Sequence, residues 1–401
     1  MEQGGGGAAD FNRQPFAYDP SSVNYLFVTH AHIDHIGRIP KLVKDGFKGE
    51  IYSTPETREI AALLLLDAVK IGLDSEPLYG LEDVSNAMAI WKTIPYHTPQ
   101  PFDGFTLELY NAGHVLGSSM LQFTFQSGKK MLFTGDIGNS PSPLLSDVER
   151  VGDLDYLLME SVYGDRNHED RERRVARFNE VVSQSIKRGG ALLIPAFSLE
   201  RTQEILMLLD QMFEEEKKPS APVYLDSPLA QKITPIFERA LGPDKFNFRE
   251  LVKIARVADS RAIAQIPGAK IIVAGSGMST AGRIIAHEKH FLPDSNSTIL
   301  LMGYQAAGTL GRQIAEGVKK VMIDEEPVTI KARVEKIDGF SGHADSNALV
   351  DLVSHTASTI KQVFVAMGEQ RSQIFLAQRL RDELGVEAIA TEVGRSYEMD
   401  L

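Results

Sequence analysis

The chain has 401 residues, a length typical of two domains or of one domain with a large insertion, which excludes a small peptide-like scaffold. Hydrophobic residues make up 43% and charged residues 24%, and these proportions exclude fibrous and disordered proteins. The absence of cysteine excludes disulfides and thiolate chemistry, and the net charge of −12 argues against a globally basic surface for nucleic acid. Any metal must therefore be bound by histidine, aspartate or glutamate.

In the first half of the chain, alternating and helical hydrophobic patterns predict a mixture of strands and helices. The first strand leads directly into a group of histidines. No apolar run reaches the roughly 18 residues of a membrane span and no signal peptide is recognisable, so we predict a cytoplasmic protein that does not contact membranes. The predicted elements are a strand at 25–29, helices at 56–73 and 81–91, and strands at 106–110, 120–126, 130–134 and 156–159.

From about residue 170 onward, short apolar strands alternate with long amphipathic helices. This alternation is typical of an α/β unit with a parallel sheet. The predicted elements are strands at 191–195, 223–225, 270–274 and 298–302, a helix at 201–217, and a final strand and helix at 363–366 and 370–384.

The sequence His-Ala-His-Ile-Asp-His at 30–35 follows the first strand. With ten histidines in the chain, such a pattern arises by chance with a probability on the order of one in a thousand or less. Imidazole and carboxylate groups bind zinc or iron, and a short loop lets several of them converge on one ion. The alternative is a set of surface or capping histidines, which is the usual role of an isolated histidine.

Two later strands also end in a possible ligand next to glycine, which permits tight turns. His114 follows the strand at 106–110, and Asp136 follows the strand at 130–134. Each is weak evidence alone, because a single histidine after a strand is more often structural. Together with the histidine group, they predict one ion bound by His30, His32 and His114, and a second bound by Asp34, His35 and a bridging Asp136.

These residues and five later segments resemble the metallo-β-lactamase fold and its β-CASP branch of nucleic-acid nucleases, which includes the polyadenylation endonuclease subunit and ribonuclease J. The resemblance covers nearly the whole chain. The segments are Leu-Leu-Met-Glu-Ser-Val-Tyr-Gly-Asp-Arg at 157–166, Ile-Pro-Ala-Phe at 194–197 with Arg-Thr-Gln-Glu at 201–204, Gly-Ser-Gly-Met at 275–278, Gly-Tyr-Gln-Ala-Ala-Gly-Thr-Leu-Gly-Arg at 303–312, and Phe-Ser-Gly-His-Ala-Asp at 340–345.

The resemblance implies an α/β fold: a metallo-β-lactamase αββα sandwich interrupted by an α/β β-CASP domain. The first part of the sandwich would span 1–168, the inserted domain 169–336 and the second part 337–401. It also implies a zinc-dependent enzyme that cleaves RNA in the cleft between the two domains, with zinc preferred over iron. Single-stranded DNA as a substrate and a homodimer are left open.

The resemblance assigns roles to three residues. Asp136 would position the attacking water, and His343 would protonate the leaving oxygen while Glu160 holds its imidazole ring. A carboxylate beside an imidazole can keep that ring protonated near neutral pH, which a general acid requires. Without the resemblance, a capping glutamate and a core histidine are an equally good interpretation.

Contacts with the nucleic acid are predicted in the inserted domain. The Gly-Ser-Gly-Met segment lies between a predicted strand and a helix, where backbone N–H groups can bind phosphate. Taken alone, this segment is more often a plain turn, and the other candidates could equally be surface or core residues. The candidate residues are Arg201, Ser276, Gly277, Tyr304 and Arg312.

Three departures from the family bear on activity. Met367 stands before Gly-Glu where the family has a histidine, so the second metal would lose a ligand, and the thioether is a poor substitute. We predict that Met367 is a core-filling residue. Glu200 stands where the family often has glycine. The chain also starts near the segment that follows an early aspartate motif in the family, so we expect the first strands to be missing through truncation or a misassigned start.

Two alternative functions therefore remain. The first is a catalytically impaired homologue that binds RNA or a partner nuclease, which Met367 and the short start favour. The second is a hydrolase of a small ester, thioester or phosphodiester, against which the inserted domain argues.

Overall fold

The fold is described from a computed structural model for residues 8–71, 77–215, 221–242, 251–303 and 305–401. From Ala9 onward the chain forms two compact units. Unit 1 comprises Ala9–Asn167 and Gly342–Leu401, and unit 2 comprises His168–Ser341. The second unit is thus inserted into the sequence of the first.

Strands occur in both units. Unit 1 contains β1 to β8, β17 and β18, and unit 2 contains β9 to β16. The strands are β1 Tyr25–Phe27, β2 Glu50–Ser53, β3 Trp91–Thr93, β4 Gln100–Phe102, β5 Phe105–Asn111, β6 Ser119–Phe125, β7 Lys130–Phe133, β8 Tyr156–Met159, β9 Ala191–Pro195, β10 Val223–Asp226, β11 Leu251–Lys253, β12 Lys270–Ala274, β13 Thr298–Met302, β14 Lys320–Ile323, β15 Glu326–Thr329, β16 Arg333–Ile337, β17 Gln362–Val365 and β18 Ala388–Ala390.

Helices cover the sheets of both units. The helices are α1 Ala8–Arg13, α2 Ile33–Ile36, α3 Ile39–Lys44, α4 Pro55–Ile71, α5 Leu81–Ala89, α6 Arg171–Arg188, α7 Arg201–Glu215, α8 Pro228–Leu241, α9 Val257–Ala262, α10 Arg283–Phe291, α11 Leu310–Ala315, α12 Ser346–Ser354 and α13 Gln370–Leu384. Along the described stretches of chain, no helix combines the length and the apolar character needed to cross a bilayer.

Unit 1 contains two sheets. The larger has the strand order β18-β17-β8-β7-β6-β5-β4, and the smaller is the parallel sheet β1-β2-β3. Side chains alternate across the larger sheet. Leu157 and Val363 pack in one core with α12 and α13, whereas the neighbouring Leu158 and Phe364 belong to a core on the opposite face. That opposite face also carries an aromatic core shared with the smaller sheet. The unit is therefore layered as expected for the αββα sandwich.

The direction of the strands brings several loops to one edge. Strands β5 and β7 each run antiparallel to β6, whereas β7, β8 and β17 run parallel to one another. The carboxyl ends of β5, β7, β8 and β17 consequently meet at the same edge of the sheet. At that edge, Ser119 N–H donates to the carbonyl of Thr29, 2.8 Å away, which brings the segment after β1 alongside.

Unit 2 is built around a parallel sheet with the order β11-β10-β12-β9-β13-β16. Its central strands are buried on both faces and read as continuous apolar runs, the pattern expected when helices cover both sides. One face packs against α6 and α7 and the other against α10 and α11. A separate antiparallel pair is formed by β14 and β15.

The buried strands and the last helix have the predicted bounds: 156–159, 191–195, 270–274, 298–302 and 370–384. The predicted helix at 81–91 is too long, because Trp91 begins β3 and its indole N–H donates to the hydroxyl of Ser53, 2.9 Å away. The predicted ends of the helices at 56–73 and 201–217 fall outside the described residues. Short strands were missed most often: none was predicted at β2, β3, β4, β11, β14, β15, β16 or β18.

Glu200 lies in a backbone conformation that suits glycine. Its φ is +67°, and one carboxylate oxygen is buried without a hydrogen-bond partner among the described residues. Burial, together with the charge of Glu204, raises the pKa of Glu200 well above its usual range. Glycine at this position would remove both the backbone strain and the buried carboxylate.

We expect Glu200→Gly to raise the free energy of unfolding by about 1 kcal/mol, because the left-handed backbone conformation no longer strains a side chain. Glu200→Ala is the matched control, since it removes the carboxylate but keeps the Cβ atom. Urea denaturation above neutral pH should rank the stabilities as glycine, then alanine, then glutamate. A glycine variant no more stable than the alanine variant would show that backbone strain is not the cause.

Candidate metal centre

Three imidazole rings, two of them buried and one partly buried, converge with one carboxylate in unit 1. His30 and His32 come from the loop after β1, His114 from the loop after β5, and Asp136 from the loop after β7. One ligand atom from each residue lies within 4.8 Å of the other three. This set of four residues is called the histidine–aspartate centre below.

The distances within the centre are short. His114 Nε2 lies 3.1 Å from His32 Nδ1, and Asp136 Oδ2 lies 3.5 Å from both His30 Nε2 and His114 Nε2. The ring of His114 is fixed from behind, because its Nδ1 lies 2.9 Å from the carbonyl oxygen of Gly342. With Nδ1 donating to that carbonyl, Nε2 presents a lone pair to the centre.

Burial keeps these histidines uncharged. It lowers the pKa of His30 and His114 well below the usual range, and the neighbouring imidazoles add to the effect. Burial likewise lowers the pKa of His32 to about 4. Burial would raise the pKa of Asp136, but the hydrogen bond from His35 and the surrounding imidazoles outweigh it, so that pKa is well below its usual range. The centre therefore combines neutral nitrogen donors with an ionised carboxylate at neutral pH.

These groups fit a divalent cation. His30 is fully buried, and its Nε2 has no hydrogen-bond partner among the residues that the structure describes. A buried nitrogen without a partner is costly, and a cation is the group that would satisfy it. Three imidazole nitrogens and a carboxylate oxygen are a common ligand set for zinc.

Asp34 and His35 lie beside this centre. His35 Nε2 is 3.3 Å from Asp136 Oδ2 and 3.7 Å from Asp34 Oδ2. Burial opposes protonation of His35, but the hydrogen bond and the charge of Asp136 outweigh it and raise its pKa. The side chain of Asp34 is 48% exposed. The three residues predicted for a second ion are thus neighbours, with the carboxylate of Asp136 facing both groups.

Glu160 and His343 form a second pair next to the centre. His343 Nδ1 lies 3.1 Å from Glu160 Oε1, and the rings of His343 and His114 are 4.7 Å apart. Glu160 is fully buried and accepts hydrogen bonds from the backbone N–H groups of Ile137 and Val162 at 2.6 and 3.2 Å. Burial would lower the pKa of His343, but the charge and hydrogen bond of Glu160 raise it to about 9.

Asp136, Glu160 and His343 are also close enough to form a ligand group. Their chemistry argues against that role. Glu160 already accepts a backbone hydrogen bond on each carboxylate oxygen, and a protonated His343 repels a cation. The pair is therefore suited to holding and delivering a proton.

Close backbone approach holds the loops together. The loop after β7 passes so near the loop after β5 that a Cβ atom on Gly138 would lie 1.9 Å from the carbonyl oxygen of Gly113. Gly138 also forms an isolated bridge with His343, and Ala344 N–H donates to Ile137 O at 2.8 Å. Only glycine fits at position 138, and through it the segments of Asp136 and His343 are fixed to each other.

The prediction that Met367 fills the core is wrong. Its side chain is 38% exposed, and its φ of +50° places it in a turn just after β17. Ser161, directly after Glu160, donates from its hydroxyl to Ala366 O at 2.8 Å. The turn of Met367 therefore lies at the same sheet edge as Glu160.

The predicted phosphate-binding segment lies after β12 in unit 2. Ser276 uses its polar groups within the turn: its N–H donates to Ala281 O at 3.1 Å, and its hydroxyl accepts from Thr280 N at 3.0 Å. The carbonyl of Gly277 accepts from Gln305 Nε2 at 3.1 Å. Ser276 therefore does not offer the free N–H donor that the sequence suggested.

The predicted arginine contacts are paired with carboxylates. Arg201 forms an ion pair with Glu204, and its side chain is 13% exposed beside the ring of Phe340. Arg312 is more exposed and forms an ion pair with Glu316 at 2.6 Å. Tyr304 lies outside the described residues. The structure thus does not bring a free cation to these positions.

Some groups that shape the centre carry no sequence signal. The carbonyl of Gly342 orients His114, and the N–H groups of Ile137 and Val162 hold Glu160. Backbone groups of this kind could not have been predicted from residue type. The hydroxyl of Thr29, 3.1 Å from His30 Nδ1, could have been suspected from its place at the end of the first strand.

Comparison with known proteins gives consistent results along the chain. Residues 4–175 match the description "Metallo-beta-lactamase superfamily", residues 202–314 match "Beta-Casp domain", and residues 327–391 match "Zn-dependent metallo-hydrolase RNA specificity domain". These matches agree with the fold that the sequence motifs predicted.

Three similar proteins illustrate the relationship. Ribonuclease TTHA0252 of Thermus thermophilus is 34% identical, with 92% of this chain and 86% of the relative aligned. RNase aCSPSF2 of Saccharolobus solfataricus is 32% identical over 96% of this chain and 77% of the relative. Transcription termination factor FttA of Methanosarcina mazei is 31% identical over 95% of this chain, which spans 65% of that longer relative. The chain therefore belongs to the β-CASP family of the metallo-β-lactamase superfamily.

Proposed function

We propose that this protein is a zinc-dependent ribonuclease that hydrolyses phosphodiester bonds of RNA at the histidine–aspartate centre. One observation carries the proposal: His30, His32, His114 and Asp136 converge, and the hydrogen-bonded pair of Glu160 and His343 lies directly beside them. Hydrolysis of a phosphodiester requires groups that activate a water molecule as the nucleophile and, beside them, a group that donates a proton to the leaving oxygen.

RNA is the substrate that the family relationship favours. The match to an RNA specificity domain and relatives named as ribonucleases support this choice. Single-stranded DNA has the same phosphodiester group, so it belongs in the substrate comparison as the competing polymer.

Two zinc ions are proposed. His30, His32 and His114 would hold the first, Asp34 and His35 would hold the second, and Asp136 would bridge both. When bound, such ions lower the pKa of water and neutralise charge that develops on the phosphate. Unlike the first three histidines, His35 has a raised pKa, so its proton must leave before it can act as a ligand.

Asp136 would orient the attacking water. Its carboxylate stays ionised because His35 donates a hydrogen bond to it. The residue is nearly buried, so few competing waters reach it. An ionised, fixed acceptor of this kind can hold a water molecule in one orientation.

His343 would protonate the leaving oxygen. Its Nδ1 is occupied by Glu160, which leaves Nε2 as the atom that carries the transferable proton. The backbone donors on Glu160 keep that carboxylate ionised and fixed, so the pair works as a unit. After transfer, the neutral imidazole is reprotonated from water at neutral pH because its pKa is about 9.

The contacts of unit 2 with RNA remain proposals at this stage. Arg201 and Arg312 would have to exchange their carboxylate partners for phosphate groups, which reduces their expected contribution. We also propose contacts with the RNA for three further residues of the inserted domain, namely Ser276, Gly277 and Tyr304.

A catalytically impaired homologue is the second candidate function, and Met367 favours it. An exposed methionine stands where a histidine ligand is expected, so the second ion would be weakly held. Such a protein would still bind RNA but would cleave it slowly.

We expect Asp136→Asn to lower the rate of RNA cleavage by at least about a hundredfold and to reduce bound zinc, because an amide cannot replace an ionised ligand. Metal content would be measured by mass spectrometry, and cleavage with labelled single-stranded RNA and DNA. Asp351→Asn, an exposed aspartate on α12, is the control. Wild-type protein with less than one metal per chain and no RNA cleavage would rule out the enzyme.

The rate should fall as pH rises through the pKa of His343, at or below about pH 9, because a bound cation further disfavours the imidazolium. In Glu160→Gln, no carboxylate opposes the effect of burial on His343, so the pKa of His343 should fall. The descending limb of the pH–rate profile should then move to lower pH. Glu149→Gln, which removes the carboxylate paired with exposed His97, should leave the profile unchanged. An unshifted limb in Glu160→Gln would contradict the role of the pair.

Met367→His should tighten binding of the second zinc equivalent by at least about tenfold, since it adds a nitrogen ligand beside the Glu160 edge. Calorimetric zinc titration would separate the two equivalents, and Met367→Gln controls for polarity alone. If both variants bind zinc like the wild type, position 367 does not contribute to a metal site. A rise in cleavage rate only with histidine would identify the natural protein as impaired.

A further inference from the structure

An aromatic ring is exposed at the carboxyl edge of the sheet in unit 2. Phe197 follows β9, and 43% of its surface is accessible, although Ala196 and Leu199 on either side are buried. Among the residues that the structure describes, no aromatic ring stacks on Phe197. Single exposed apolar residues are common, so the exposure needs support from the surroundings.

The ring of Phe197 rests directly on the backbone of Gly277. A Cβ atom at position 277 would lie 2.8 and 3.0 Å from the ring carbons Cδ2 and Cε2, closer than any side chain allows. Glycine is therefore required at 277 for the ring to occupy this place. One side of the ring thus packs on the backbone of the 275–282 turn, and part of the ring is exposed.

The loop that carries Phe197 is held rigidly. The carbonyl oxygen of Phe197 accepts hydrogen bonds from both the N–H and the hydroxyl of Thr202, at 3.2 and 2.7 Å. The next carbonyl, that of Ser198, accepts from Gln203 Nε2 at 3.1 Å. Thr202 and Gln203 are almost fully buried. These hydrogen bonds fix the backbone that carries the exposed ring.

The ring lies where parallel α/β sheets bind ligands. Strand β12 lies between β10 and β9 and is parallel to both, so the loops after these strands leave the same edge of the sheet. Hydroxyl groups accompany the ring there: Ser198 Oγ lies 3.0 Å from Ser227 Oγ. A flat apolar surface beside hydroxyl groups matches the chemistry of a nucleoside, with its aromatic base and hydroxyl-bearing sugar.

We propose that Phe197 is a stacking platform for a base of single-stranded RNA, seated on Gly277 at the carboxyl edge of the sheet in unit 2. This inference rests on the proposed function, because it names a contact that the RNA substrate would make. It assigns Gly277 a different task from phosphate binding, namely to make room for the ring.

Charge considerations also favour a stacking contact. The chain has a net charge of −12, and the arginines on α7 and α11 are already paired with glutamates. Affinity that depends on phosphate pairing falls steeply with salt, whereas stacking on an aromatic ring does not neutralise phosphate charge. An acidic protein can therefore gain affinity for RNA from base stacking.

The first test measures binding of a fluorescent single-stranded RNA by anisotropy, in an Asp136→Asn background that suppresses cleavage. Phe197→Ala should weaken binding by about 5- to 150-fold, Phe197→Trp should retain it, and Phe197→Leu should behave like alanine. The slope of log affinity against log salt should not change, since no charge is removed. A leucine variant that binds like the wild type would overturn the inference, because the ring would then act only by packing.

The second test changes the RNA instead of the protein. An oligonucleotide with abasic sites keeps the phosphates but lacks bases. It should bind the wild-type protein more weakly than the intact RNA does. The Phe197→Ala protein should bind the abasic and the intact RNA with the same affinity. Additive losses would show that base and ring do not touch. Thermal unfolding of each variant checks that the loop remains folded.

Failure of this inference can be told apart from failure of the proposed function. If the wild type cleaves RNA and Phe197→Ala raises KM at unchanged kcat, both stand. If the wild type cleaves RNA and Phe197→Ala has the same KM, the stacking role is wrong and the ribonuclease remains. If the wild type neither binds nor cleaves RNA, both proposals fall together.

Discussion

The exclusion of water from three imidazole rings is the constraint on which the candidate site depends. His30, His32 and His114 are neutral because burial removes the hydration that an imidazolium needs. Neutral rings do not repel one another, so they can pack with centroids about 5 Å apart around a single carboxylate. The same burial leaves a nitrogen of His30 without a hydrogen-bond partner among the described residues, a cost that only a bound cation would relieve.

His343 shows how a different neighbour reverses this outcome within one site. Its ring packs near His114 and is also mostly buried, yet the adjacent Glu160 raises its pKa to about 9. Burial disfavours the charged form of both rings, and the carboxylate of Glu160 reverses that effect at His343. In the proposed ribonuclease, the neutral histidines would bind a cation and His343 would donate a proton, and such a separation of pKa values is typical of acid–base catalysis.

The sequence predicted the features that are encoded within short segments. Buried strands such as those at 191–195 and 270–274 are bounded by glycine or proline and read as continuous apolar runs, so their bounds were predicted without error. The ligands at 30–35 stand out for a similar reason. The pairing of Glu160 with His343 joins residues 183 positions apart, and only the resemblance to a family could suggest it.

Other features depend on tertiary context. Trp91 fits a helical pattern, but its indole group finds a buried hydroxyl on β2, so the chain forms a strand instead. Met367 is apolar and follows a buried strand, which suggested a core position, but the turn after β17 directs it outward. The carbonyl of Gly342, which fixes the tautomer of His114, is a backbone group and has no signature in residue type.

A protein with a net negative charge that acts on RNA needs a local positive charge at the site where the phosphate binds. A charge of −12 spread over the surface is screened beyond about 8 to 10 Å at physiological salt, so it weakens encounter with RNA more than it weakens the bound state. Inside the centre, the ionised Asp136 and neutral imidazoles allow divalent cations to supply the positive charge that the surface lacks. If the protein acts on RNA as proposed, contacts that carry no charge would add affinity for the rest of the RNA. An exposed aromatic ring would suit this purpose better than another arginine, because an arginine on an acidic protein pairs readily with a neighbouring carboxylate, as Arg201 and Arg312 do.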